Sequence, residues 1–437
     1  MLVTGVETFE GLGFPLTDSP FSGHSTGPFN CASSMNPETK TRSSASVAYF
    51  SPVAARPNLK VFLNSVVEKI VLDRNGSEET QATGVQTIQD GVKITVSAAK
   101  EVILSAGVFG SPKLLELSGI GDPELLKLYG IEAQVTNPYV GTNLQDHAVA
   151  GISFEVADGI ATLDNMMRKD PATIAQAAEL YQTHKSGPFI STGVTSFAYL
   201  PTIDFTKDSG ELRKALETLS DATDFHPLDP ARFDILRNLL KKGDEGTAQF
   251  CLLAGQWAPT GKNSTRPEDS SPPLPENFVT IFTAVSHPLS SGTVHISSAD
   301  PSALPTVDPA YFSQPLDVEL QARHLRTVET IVAAPPFSAL LKPGGKRNDP
   351  ATIMNGDLEK AKALARSGSG TNWHSCGTCA MAPRDKGGVV DASLRVYGVK
   401  GLRIVDASVF PFIPQSNTQT LVYAVAERAS DIIKGGL

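Results

Sequence analysis

Trp373-His374-Ser375-Cys376-Gly377-Thr378-Cys379-Ala380-Met381, continued by Gly387-Gly388-Val389-Val390-Asp391, by Leu402-Arg403-Ile404-Val405-Asp406-Ala407-Ser408 and by Asn417-Thr418-Gln419-Thr420, is the part of the chain that decides the fold. Leu402 to Val405 is a short apolar, partly β-branched run of the kind that forms a buried parallel strand, and Asp406 follows at its carboxyl end. Ligands of α/β sheets bind at such ends. Beyond Pro411 and Pro414, Asn417 or Thr418 is placed to cap a helix running to about Lys434, with Leu421, Val422, Val425, Ala429 and Ile432 as its apolar face. Its positive N-terminal end suits an anionic group.

Upstream, Leu59 to Gly107 holds strand-like runs at Lys60 to Leu63, Val66 to Leu72, Ala82 to Ile88, Val92 to Val96 and Glu101 to Ala106, broken by Asn75-Gly76 and Asp90-Gly91. Such dipeptides close hairpins, so the segment predicts a β-meander that returns to a buried strand, Val102 to Leu104, and then a helix around Pro112 to Leu117. From Ala150 to Phe337 strands are expected at Ile152 to Val156, Gln249 to Leu253, Phe278 to Val285 and Thr293 to Ile296. Helices are expected from Asp170-Pro171, from Asp229-Pro230 and from near Asp317. Strands and helices without strict alternation predict an α+β unit, an antiparallel sheet covered by helices on one side. Gly261 to Pro275 reads as a Pro/Ser-rich surface loop.

With 437 residues and 41% hydrophobic content the chain is long enough for two or three domains and a substantial core, and a soluble globular protein is expected. The 37 basic and 46 acidic residues leave a net charge of −9, and no basic run tracks a phosphate backbone, so small molecules are expected as partners rather than nucleic acid or an anionic membrane. Neither a signal-type start nor an eighteen-residue apolar window is present; the chain as written is expected to be cytoplasmic, with secretion left open for a longer N-terminus by the sequons at Asn75 and Asn263. Four cysteines describe no disulfide framework. Cys376-Gly377-Thr378-Cys379 imitates a redox or metal pair, but no second Cys or His pair stands at zinc-ligand spacing, so no metal is expected.

The opening stretch resembles the C-terminal signature of the glucose-methanol-choline (GMC) family of FAD-dependent oxidoreductases, and three further blocks agree in the family's order. These are Thr41-Arg42-Ser43-Ser44-Ala45 to Arg56-Pro57-Asn58-Leu59; Glu101 to Gly107 through Ser111-Pro112-Lys113-Leu114-Leu115 and Ser118-Gly119-Ile120-Gly121 to Val140-Gly141-Thr142-Asn143-Leu144-Gln145-Asp146-His147; and His287-Pro288 to Gly292, Asp300-Pro301 and Asp308-Pro309. Ala150 to Glu276 carries no family motif. The resemblance implies an α/β plus α+β architecture: an FAD-binding part over 1–150, a substrate domain over 151–345, and a segment over 346–437 that carries active-site residues and returns to the FAD-binding part.

One family element is missing from the sequence. Members open with a strand, a G-x-G-x-x-G turn and a helix that hold the ADP half of FAD. The nearest match, Gly11-Leu12-Gly13-Phe14-Pro15-Leu16, lacks the third glycine and reads as a loop. The chain thus looks like a member that begins after the dinucleotide-binding unit, and weak FAD binding, or none, is expected of it.

The resemblance implies oxidation of an alcohol CH–OH by hydride transfer to FAD, in fungal secondary metabolism. His374 matches the catalytic base, a role for which neutral imidazole is well suited near pH 7. Asn417 matches the second catalytic position, where its amide would orient the substrate oxygen. Implied cofactor contacts are Val67 on the adenine side, Asp406 and Ala407 on the pyrophosphate and ribityl side, and Thr418 with Gln419 at the flavin ring; Val67 could equally be core and Asp406 a turn cap. His147 and His287 read as structural. Trp257 and Phe282 read as pocket wall or core. The mechanism expects His374 and Asn417 across one cleft, roughly 3 to 6 Å apart, and the pieces Leu59 to Gly107 and Gly401 to Lys434 in one open sheet. Two alternatives stay open, a lyase of the same fold and a non-catalytic remnant with exposed sheet edges.

Overall fold

The computed structural model describes residues 2–17, 19–20, 22–23, 26–74, 79–191, 193–217, 226–257 and 273–435. Its centre is an antiparallel six-stranded sheet in the order Gly27–Asn30, Val194–Leu200, Ala248–Leu253, Phe278–Val285, Ala148–Glu155, Gly370–Thr371. Side chains alternate across a strand, so each strand supplies two layers. Ala198, Leu200, Phe250, Leu252, Val279, Ile281, Ile152 and Phe154 face the helices Pro315–Ala333 and Leu358–Gly368, whose Leu325, Val328, Ile331, Ala361 and Leu364 complete that core. Each fully covered aliphatic or Phe side chain there contributes about 1.5–3 kcal/mol. The opposite face presents Val149, Phe282, Cys251, Leu253, Phe197 and Tyr199. Helix Pro315–Ala333 starts with proline in its first turn, where the missing N–H costs nothing, and stops before Pro335.

The second part holds the meander. Ser65–Asp73, Thr80–Gln89 and Val92–Ser97 pair in sequence, and Asp90 and Gly91, both at positive φ, close the second hairpin. Val102–Leu104 pairs parallel with Leu402–Ile404, and Val399–Lys400 pairs parallel with Thr80 and Gln81. The two expected pieces do meet, through Val102–Leu104 and Leu402–Ile404, but the meander lies in a separate sheet, so the one open sheet is corrected to two. Gly401, at φ +67°, turns the chain between the adjoining strands Val399–Lys400 and Leu402–Ile404 and sends them to different neighbours.

The helices near Pro112, after Asp170 and around Asp317 are formed as Gly107–Leu117, Pro171–His184 and Pro315–Ala333, and Asp170 caps the second by accepting from the Thr173 N–H. Asp229 does not cap its helix. Leu228 holds the N-cap place, and the Asp229 carboxylate takes the His226 N–H and pairs with Arg232 at 3.2 Å. Lys60 to Leu63 is not a strand, because no neighbour offers its backbone a ladder; Phe62 and Leu63 are exposed. Helix Leu2–Gly11 and strands Gly27–Asn30 and Val194–Leu200 escaped the sequence reading. The Asn75-Gly76 turn, both sequons and nearly all of the Gly261 to Pro275 loop lie outside the described residues. Among the described residues no helix is long and apolar enough to cross a membrane.

Candidate active site

Two family blocks meet as an antiparallel pair. Gln145 and Cys376 exchange both backbone hydrogen bonds at 2.9 Å, and the Asn372 N–H reaches the His147 carbonyl at 3.0 Å. This register puts His147 opposite His374. Gly377 makes the approach possible: at φ +97°, a Cβ there would lie 2.4 Å from the Asn143 carbonyl oxygen. Asp146, between the two blocks, accepts the His374 N–H at 2.9 Å and the Tyr311 and Thr371 hydroxyls, fixing the loop.

The two imidazoles touch. His147 Nδ1 lies 2.8 Å from His374 Nδ1, with the rings at 85° to each other, and His147 Nε2 is 2.9 Å from the Ser286 carbonyl oxygen. Asn372 Nδ2 is 3.2 Å from His374 Nδ1. Burial lowers the pKa of His374 to about 4, and burial followed by the charge of His374 lowers that of His147 to about 3. Both rings are neutral at pH 7.

Beside them a cavity of about 420 Å³ opens on the face of the six-stranded sheet opposite helices Pro315–Ala333 and Leu358–Gly368. Trp257 and Phe282, packed edge to face at 5.1 Å, form its apolar wall, and Arg42, Asn372, Asn417 and Gln419 its polar side. Asn417 Oδ1 accepts from Gln249 Nε2 at 3.1 Å, which leaves the Asn417 NH₂ as its donor group, and Gln419 Oε1 accepts from the Ser34 hydroxyl at 2.9 Å. His374 is not itself among the residues bounding this cavity; its chain neighbours Asn372 and Trp373 are. A larger hollow of about 520 Å³, by Tyr139, His226 and Gln314, holds none of the residues expected to be catalytic or to touch the cofactor.

The other expected contacts scatter. Thr418 is buried at the N-cap of helix Gln419–Ile433 without a side-chain capping bond. The Asp406 carboxylate accepts from Gly107 N, Ser111 Oγ and Ser408 N at 3.0, 2.6 and 2.8 Å, so it caps helix Gly107–Leu117 and its own turn. Ala407 accepts the Gly377 N–H at 3.1 Å and ties this turn to the histidine loop. Val67 sits half-buried in strand Ser65–Asp73 opposite Thr87. Cys376 and Cys379 are free and fully buried, and burial pushes both thiols up, which suits packing rather than redox chemistry. Among the described residues no group of three or more His, Cys, Asp or Glu is arranged to hold a metal.

The amides of Asn417 and Gln419, which border the cavity at the start of a helix, are of the donor and acceptor type a flavin ring would require. A nucleotide cradle is not formed by Gly11-Leu12-Gly13, which ends helix Leu2–Gly11 instead of joining a strand to a helix.

The GMC oxidoreductase family matches residues 5–149 with its N-terminal domain and 288–426 with its C-terminal domain, and the chain belongs to this family. It is 34% identical over 434 residues to the dehydrogenase citC of Monascus ruber, covering 95% of this chain and 67% of that one, and 33% identical to a dehydrogenase of Armillaria gallica, covering 94% and 62%. The chain thus spans about two thirds of the length of these relatives. An FAD-dependent oxidoreductase from Chaetomium thermophilum superposes with a TM-score of 0.84 at 27% identity, covering 99% of this chain and 71% of that one; a fungal aryl-alcohol oxidase superposes with 0.80 at 26%, covering 98% and 69%. The fold is that of the FAD-dependent GMC enzymes, and FAD is the cofactor these domains serve.

The sequence reads His147 as structural rather than catalytic and gives Gln249 no role. The pairing of residues 145 and 376 bridges 231 positions and leaves no local trace. Gln249 did leave one, as a polar residue inside an otherwise apolar strand.

Proposed function

We propose that the protein oxidises the CH–OH group of a small organic alcohol, in fungal secondary metabolism, with His374 as the base and Asn417 as the group that orients the substrate oxygen. The observation that carries this reading is a neutral His374 in contact at 3.2 Å with Asn372, which borders the same cavity as Asn417. FAD, when bound, supplies the acceptor for the hydride that leaves the carbinol carbon. A neutral imidazole takes the hydroxyl proton, and the Asn417 NH₂, held by Gln249, donates to the alcohol oxygen. Trp257 and Phe282 favour a flat apolar body on the substrate and exclude water from the reacting centre. The citC relative is named a dehydrogenase and one structural neighbour an aryl-alcohol oxidase, which supports the reaction class.

The test is turnover of a panel of aryl and alkyl alcohols by a flavin-loaded form of the protein, with a dye or oxygen as acceptor. His374→Ala is expected to lower kcat by roughly 10²-fold or more, the scale of a positioned base, and Asn417→Ala by less. Equal turnover of wild type and His374→Ala overturns the assignment.

A further inference from the structure

We infer that His147 is a positioning residue that fixes the tautomer of His374: it accepts a hydrogen bond from His374 Nδ1–H and so leaves the His374 Nε2 lone pair as the proton-accepting site. The identity of the incoming proton, that of the substrate hydroxyl, rests on the function proposed above.

Ser286 O has only lone pairs, so the 2.9 Å contact requires a proton on His147 Nε2. A neutral imidazole carries one ring proton, and the pKa of His147, lowered by its burial, keeps the ring neutral. Its Nδ1 is therefore an acceptor. The 2.8 Å contact between the two Nδ1 atoms then needs its hydrogen from the other ring, so His374 bears its proton on Nδ1. Geometry supports a bond of this kind: the 5.1 Å between ring centroids is the separation of two rings joined end to end along the Nδ1···Nδ1 line, with the 85° angle a twist about that line. Donor and acceptor lone pair both lie in their ring planes. His374 Nε2 makes no hydrogen bond among the described residues and keeps its lone pair for a ligand.

One contact tests the scheme internally. Asn372 Nδ2, 3.2 Å from His374 Nδ1, would present a donor to a donor. Turning the amide over, an assignment that heavy-atom positions do not distinguish, brings its oxygen to the same place as a second acceptor. The relay thus predicts the flipped Asn372 amide.

The source of the rigidity is the sheet register. Pairing of residues 145 with 376 fixes 147 against 374 across two chain segments, and Asp146 holds the His374 backbone. Second partners of this type set tautomer and ring direction in histidine sites generally.

The measurement is two-bond ¹H–¹⁵N correlation on the full chain labelled at its histidines, at pH 7, with His374 assigned by the loss of its signals in His374→Gln. The expected pattern is a pyrrole-type Nδ1 and a bare Nε2 in His374, and the reverse in His147. His147→Asn keeps an oxygen near the place of Nδ1 and is expected to preserve the His374 tautomer; His147→Gln reaches Ser286 but removes that acceptor and is expected to release His374 into a mixture of tautomers. A proton on Nε2 of wild-type His374, or an unchanged His374 pattern in His147→Gln, overturns the inference. The wild-type spectrum, assigned through His374→Gln, decides without either His147 variant having to fold. Turnover is read separately: a flavin-loaded protein inactive on every alcohol while its His374 holds the Nδ1–H tautomer refutes the proposed function and leaves the relay standing.

Discussion

Phe278–Val285 is buried at every position, between two neighbouring strands and under helix Pro315–Ala333, whereas Val92–Ser97 is exposed at every position although Val92, Ile94 and Val96 alternate as regularly as any core strand. Both runs have the branched composition that suits a pleated surface, and both became strands. What separates them is what lies on top. The first has a helix pair on one face and the cavity's aromatic wall on the other; the second pairs only with Thr80–Gln89 and carries nothing. β-propensity therefore places the strands, while the stability of each region is set by its cover.

The sharpest way to break this contrast is acid. His147, His324, His374 and His226 are held neutral by burial, with pKa values lowered to about 3, 3, 4 and 4, against about 6.5 in the unfolded chain. Below pH 6.5 the unfolded chain binds protons that the folded one refuses, so stability is full above that pH and falls as pH drops toward 4, by up to about 1.4 kcal/mol per pH unit for each histidine. None of the four lies in the meander, so hydrogen exchange corrected for intrinsic rates should show the added loss between pH 7 and pH 5 in the six-stranded sheet. Uniform loss, or loss confined to Ser65–Ser97, would contradict this.

Truncation ranks next. Phe250→Ala, in the helix-covered layer, is expected to cost about 3–5 kcal/mol in urea unfolding. The smallest effect is expected for Ile94→Ala on the bare strand, within about 0.5 kcal/mol of wild type. A cost near that of Phe250→Ala would show that this face is covered in solution.

Where the signal was local, it was legible. The alternation from Val66 to Val96, the Asp170 cap, and the helix after Thr418 all stand in the structure. Gly401 was not readable as the divider of two sheets, since a glycine's φ is settled by the neighbours its flanking strands find. Nor was the partner of His374 visible. The family signature named His374 and Asn417, but His147 reaches the first through a strand register and Gln249 the second through a side-chain contact, joining residues 227 and 168 positions apart.

The parallel pairing of Val102–Leu104 with Leu402–Ile404 also sets a schedule. Val102 waits for a partner made 300 residues later, which at about 5–20 residues per second of synthesis is roughly 15 to 60 s. Through that interval the strand has no ladder on that side, and closing so long a loop makes the step slow even after release. The histidine pair obeys the same order, because Cys376 must arrive before Gln145 can bind it. The growing chain can finish the strands from Gly27 to Val285 of its six-stranded sheet while still on the ribosome, yet it cannot bring His374 against His147 until its last seventy residues emerge, so chaperone dependence during synthesis should track the C-terminal segment.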